Sequence, residues 1–193
     1  MSHDVIDCED IVMPPRFVDA WGKPRRSGNK DDKLMVTFQM TTIEERQTLF
    51  PSPRLVDEPM SIKDFSDVPC YELHVNGVLK GLATIDHSVS IVERELIIQV
   101  ELVAIHLDRE LRKQGFGRAF LECIGREAGI EAMTHILRER SAATADRFTV
   151  NLSSDPITEE GAIATEILLG IVEDLILNIC ANWTIRPQVR DDS

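Results

Sequence analysis

Hydrophobic positions along the chain change their spacing several times, and each change marks an element. Leu34 to Met40 (Leu-Met-Val-Thr-Phe-Gln-Met) reads as a first strand. Thr41 or Thr42 then offers an N-cap ahead of Glu44 and Glu45, which predicts a helix stopped by Pro51 and Pro53. Residues 51–69 read as loop, with one helical turn near Ile62 to Phe65. Cys70 to Val75 and Val78 to His87 flank Asn76-Gly77, a two-residue turn signal, and together predict a hairpin. A third run, Leu96 to Leu107, is rich in β-branched and aliphatic residues. Simple alternation puts Ile97, Gln99, Glu101, Val103, Ile105 and Leu107 on one face, with Glu101 its only carboxylate.

The C-terminal half is more helical. Phe116, Phe120, Cys123 and Ile124 give the spacing of a buried stripe, so Gly117 to Ala128 reads as a helix with Gly129 as its C-cap. A second helix is expected over 131–145, with Met133, Ile136 and Leu137 inward, followed by a short strand from Arg147 to Leu152. Thr158, with Glu159 and Glu160 behind it, caps a long helix reaching Asn182. Ile163, Ile167, Ile171, Leu175 and Ile179 line one stripe of it, which suits either core packing or a homodimer interface. Strand, helix and strand in succession near the C-terminus imply a parallel pair in a mostly antiparallel mixed sheet flanked by helices, an α+β fold. Residues 1–33 read as a polar, partly irregular arm that Phe17 and Trp21 could anchor, 34–183 as one domain, and 184–193 as a loose polar tail.

Charge and cysteine usage narrow the functions. Asp plus Glu number 33 against 21 Lys plus Arg, a net charge of −12, which argues against nucleic acid held by a broad basic surface. No basic region followed by an apolar stretch opens the chain, and the most apolar segment, Gly161 to Ala181, carries Glu166, Glu173 and Asp174. Neither a secretory signal nor a membrane span is expected. Cys8, Cys70, Cys123 and Cys180 are too far apart in sequence for metal-ligand pairing, and His3, His74, His87, His106 and His135 are scattered. The expectation is reduced thiols, no metal and a cytoplasmic location.

One segment carries chemistry. Leu107-Asp108-Arg109-Glu110-Leu111-Arg112-Lys113-Gln114-Gly115-Phe116-Gly117-Arg118 leaves a strand and opens directly into a helix. Two glycines permit a tight turn and close backbone approach, and a helix start aims unpaired N–H groups at whatever sits in the turn. Arg112, Lys113 and Arg118 add positive charge with no acid among residues 112–118. This asks for an anion such as a pyrophosphate. The glycine spacing fits neither a P-loop nor a dinucleotide-binding fingerprint.

At these residues the chain resembles the GNAT superfamily of acyl-CoA-dependent N-acyltransferases. Their motif, Arg/Gln-x-x-Gly-x-Gly/Ala, is met by Arg112-Lys113-Gln114-Gly115-Phe116-Gly117, although Arg109 stands where proline is common. The resemblance covers about residues 34–152 and implies an N-acetyltransferase that uses acetyl-CoA as co-substrate in a ternary complex. It implies that Arg112, Lys113, Gln114, Gly115, Phe116, Gly117 and Arg118 cradle the CoA pyrophosphate. Backbone at Ile105, His106 and Leu107 would hold the pantetheine arm. Glu101 lies fourteen residues before Gly115, the family's offset for a general base, while also reading as a charge on a solvated strand face. Many family members use a tyrosine in the last helix as general acid, but that helix here has none. The sole tyrosine, Tyr71, lies on an earlier strand and is either the acid or a rim aromatic. Cys180 is a buried thiol or a substitute acid. The usual C-terminal strands are missing from this reading. Residues 34–106 and 155–193 each carry a net −6, which suits a cationic acceptor amine, a small molecule or a protein lysine. The alternative is a catalytically degenerate CoA-binding or interaction module on the same fold.

Overall fold

The structure, a computed structural model, describes residues 16–17, 34–38, 41–50, 62–66, 68–156, 158–181, 183 and 186–191. The expected anchor Trp21 and most of the N-terminal arm lie outside them. The described strands are β1 (Arg16–Phe17), β2 (Leu34–Phe38), β3 (Tyr71–Val75), β4 (Val78–Val92), β5 (Glu95–Leu107), β6 (Arg147–Ser154) and β7 (Gln188–Asp191). The helices are α1 (Ile43–Gln47), α2 (Lys63–Ser66), α3 (Phe116–Ser141) and α4 (Glu159–Ile179). The strands form one sheet in chain order, antiparallel from β1 to β5 and parallel from β5 to β7. The α+β class and the mixed sheet flanked by helices are therefore as expected.

Local chemistry accounts for most boundaries. Asn76 and Gly77 both take positive φ (53° and 80°), as a tight hairpin turn requires. Thr42 and Glu45 form a capping box, with Glu45 N–H donating to Thr42 Oγ1 (3.3 Å) and Thr42 N–H donating to Glu45 Oε2 (2.9 Å). Thr158 caps α4 by accepting from Gly161 N–H at 3.0 Å.

Three expectations are corrected. Gly129 does not end a helix, because α3 runs unbroken to Ser141. Gly125 and Gly129, one turn apart, lie instead where α4 presses on α3. A Cβ at Gly125 would meet Ile171 at 3.0 Å, and one at Gly129 would meet Leu175 at 3.0 Å. Of the α4 stripe, Ile171 and Leu175 are thus half-buried against α3, while Ile163 and Ile179 at its ends are 51% and 49% exposed. The polar tail also contributes a strand, β7, parallel to β6 from Thr149↔Gln188 to Leu152↔Asp191. The parallel region accordingly has two pairings rather than one.

Two apolar layers sandwich the sheet. The larger one packs Leu73, Ala83, Ile98, Val100 and Val150 against Phe116, Phe120 and Ile124 of α3 and Leu168 and Val172 of α4. The smaller gathers Leu49, Phe65, Cys70, Leu79, Leu82 and Ala104. Adjacent residues Leu82 and Ala83 belong to different layers, so the layers lie on opposite faces.

Candidate functional site

Two β-bulges shape the end of β5. Pairing with β4 jumps from Thr84↔Ala104 to Ile85↔Leu102, leaving Val103 as an extra residue. Pairing of β3 with β4 jumps from Leu73↔Gly81 to His74↔Leu79, leaving Lys80 extra. The first bulge overturns simple alternation. Leu96, Ile98, Val100 and Leu102 face the α3/α4 layer, but beyond Val103 it is Ile105 and Leu107 that pack there. Ala104 turns to the smaller layer, and His106 stacks on Phe50 with ring centroids 4.4 Å apart. Ile97, Gln99 and Glu101 therefore do not share a face with Ile105 and Leu107. Of the apolar residues that simple alternation puts beside Glu101, only Ile97 stays on its face: Val103 is the extra residue and 54% exposed, and Glu101 stands opposite Asp86 on β4 and Ser153 on β6.

The second bulge ties down the loop. Lys80 Nζ meets Asp108 Oδ2 at 2.6 Å, and the Asp108 N–H donates to the Lys80 carbonyl at 2.8 Å. Partial burial of Asp108 is outweighed by the Lys80 contact and by Glu110 N–H, which hold the carboxyl below its ordinary range. Asp108 Oδ1 accepts from Glu110 N–H (3.0 Å) and starts the short 3₁₀ turn Arg109–Leu111. Lys113 (φ 63°) and Gly115 (φ 92°) then take left-handed backbone, and α3 begins. No side chain caps α3, and its first bond runs from Ala119 N–H to the Gly115 carbonyl at 3.1 Å. The amides of Phe116, Gly117 and Arg118 are accordingly the unpaired donors of a helix start. Leu107 is wedged between two glycines: a Cβ at Gly81 would meet its Cδ1 at 3.1 Å and one at Gly117 its Cδ2 at 3.5 Å. β6 pairs with β5 only as far as Leu102↔Ser154, so the last five residues of β5 run past it toward this turn.

The basic island is smaller than its composition. Arg112 Nε donates to the Leu107 carbonyl at 2.9 Å, and Arg118 pairs with Glu122 at 3.0 Å. Gln114 donates its side-chain amide to the Glu110 carbonyl. Ile105, His106, Leu107 and the 112–118 segment thus lie at one end of β5, with His106 turned to the layer opposite Ile105 and Leu107.

Glu101 and Tyr71 do not come together. Tyr71 pairs with Ala83 and packs on the α3/α4 layer, beside Phe38 at 5.0 Å, whereas Glu101 is on the other face of the sheet. Burial, with Glu131, Glu127 and Cys123 nearby, pushes the Tyr71 phenol well above its usual range. Cys180 is fully buried, its thiol raised by that burial and within 3.7 Å of Met133 Sδ.

Sequence reading missed a buried charge cluster on the Glu101 side. Glu72 has no exposed surface and receives Thr41 Oγ1 (2.6 Å), Thr41 N–H (3.0 Å), Arg46 Nη2 (3.2 Å) and Thr37 Oγ1 (3.3 Å), with His74 Nε2 at 3.4 Å. Burial opposes its ionisation, but the hydrogen bonds from His74 and Thr41 and the Arg46 charge prevail and hold its pKa down to about 2. Arg46 also donates to the Phe65 carbonyl at 2.8 Å, joining α1 to α2. No periodicity signals such a pair, because its members lie 26 residues apart on different elements. Arg46 also borders an open hollow of about 540 Å³ lined by Thr41, Thr42, Ile43, Ser66, Val68 and Pro69.

Among the described residues no group of three His, Cys, Asp or Glu side chains is placed to hold a metal, and no helix is long and apolar enough to cross a membrane. Comparison with protein-family models, curated proteins and solved structures found no match for this chain.

Proposed function

We propose that this chain is a GNAT-type N-acetyltransferase that takes acetyl-CoA as donor and an amine as acceptor. The observation that carries the reading is the junction of a bulged strand end, running past its neighbour, with an uncapped helix start. The amides of Phe116, Gly117 and Arg118 suit a pyrophosphate. The end of β5 from Val103 to Leu107 offers strand backbone to an amide-bearing pantetheine arm. In the proposed step the neutral amine attacks the thioester carbonyl, the C–N bond forms, the C–S bond breaks and CoA leaves as its thiolate. Glu101, or a water it orders, takes the proton that the amine loses. The acceptor approaches from the face that bears Glu101, and Tyr71 takes no part.

The test is melting temperature with and without millimolar acetyl-CoA. Ligand at a hundred times its Kd stabilises the native state by about 2.7 kcal/mol, so the midpoint should rise by several degrees. No rise would sink the proposal. A second reading, a binding module without turnover, is favoured by the separation of Tyr71 from Glu101, which leaves no tyrosine to protonate the thiolate. It predicts the same thermal shift with no thiol release against an amine panel.

A further inference from the structure

β3 pairs with β4 only as far as Tyr71↔Ala83, yet β4 continues to Val92. Among the described residues no strand pairs with the outer edge of Ile85 to Val92, and its side chains from Ser88 to Val92 are exposed. Such an edge presents a row of unused N–H and C=O groups, and proteins usually guard it with charged side chains, Lys above all, with Pro or with a bulge; here the one carboxylate is Asp86. This stretch has neither Lys nor Pro, and its register with β5 is unbroken from Ile85↔Leu102 to Val92↔Glu95. Val89, Ile91 and Val92 are 40%, 47% and 54% exposed, beside the fully buried Leu96 and Val100.

The hairpin tip beyond the edge is also tied to the start of β6. Arg94 at the hairpin tip pairs with Asp146 (2.9 Å), Asp146 N–H donates to the Arg94 carbonyl (2.9 Å) and Arg147 donates to the Glu93 carbonyl (3.1 Å). A strand tied down at one end loses less freedom on pairing.

We propose that this edge pairs antiparallel with the same edge of a second copy, making a twofold dimer with one continuous sheet. The charge pattern suits this occupant. With the axis at Ser88, Ile85 faces Ile91, His87 faces Val89, and Asp86, the one carboxylate of the stretch, faces Ser90. Two chains of net −12 thus meet along a line where no like charges stand opposite. The expected dimer interface on α4 is relocated to β4 by this proposal.

Light scattering of the full chain at high micromolar concentration should give twice the 21.8 kDa chain mass. The double variant V89K/I91K should halve that mass while keeping the far-UV circular dichroism, and I163K/L177K on α4 should leave the dimer intact. A wild-type monomer, a dimer that survives V89K/I91K, or one lost to I163K/L177K would each overturn the proposal. Should V89K/I91K lose its circular dichroism, amide exchange of the wild type decides. Protection of residues 85–92 must rise with protein concentration, and concentration-independent exchange overturns the dimer.

Discussion

Glu101 and Tyr71 illustrate how much one side chain's meaning depends on the face it occupies. Both are natural candidates for proton transfer, but they lie on opposite faces of the sheet. A general base contributes about 10²–10⁴-fold to such a step. Glu101→Gln should therefore lower kcat by about 10²-fold or more while leaving the Kd for acetyl-CoA unchanged. Tyr71→Phe should leave kcat unchanged, because the phenol borders Glu127 and Glu131 of α3 rather than Glu101. Steady-state thiol release and calorimetric titration check both. A loss confined to Tyr71→Phe would mean that the chemistry lies on the α3 face.

Among the elements, β5 decides the site. Its bulge sends Ala104 and His106 to one layer and Ile105 and Leu107 to the other. Leu102 and Ala104 already face opposite sides, so deleting Val103 would leave a regular strand with every other residue on its present face. The deletion variant should fold with wild-type circular dichroism and lose acetyl-CoA binding by at least about tenfold, about 1.4 kcal/mol. Titration of the folded variant measures this, and wild-type affinity would show that the bulge has no part in the site. The elements themselves were largely legible. Asn76-Gly77, Thr42 and Thr158 act through their own backbone neighbours, and the turns and caps they predict form. The unbroken α3 was not legible, because Gly129, the glycine that looked like a stop, is a contact surface for Leu175 of α4.

Across the whole molecule, the buried Arg46–Glu72 pair fastens α1 and α2 to β3. Removing one member of such a pair leaves the other's charge buried and unpaired, a cost of about 3–5 kcal/mol. Glu72→Gln should lower the unfolding free energy by that amount at neutral pH, measured by urea titration. The folded carboxyl titrates near 2 against an ordinary 4.5. The stability it contributes is complete above about pH 4.5 and disappears as the pH falls toward 2. The gap between wild type and Glu72→Gln should close over that range, and a gap independent of pH would show that packing, not charge, is at stake.

What the sequence determined by itself was whatever depends on neighbours in the chain: the helix caps, the hairpin turn, the α+β order and the glycine turn that opens α3. A cap or a turn is a bond among residues a few positions apart, so its donors and acceptors can be read in order. Tertiary structure alone decided the register of β5, the partner of Glu72, the fate of Gly129, the short β7 and the bare edge of β4. Each depends on residues brought together from distant parts of the chain. A single extra residue such as Val103 reverses every face beyond it without changing the composition of the strand.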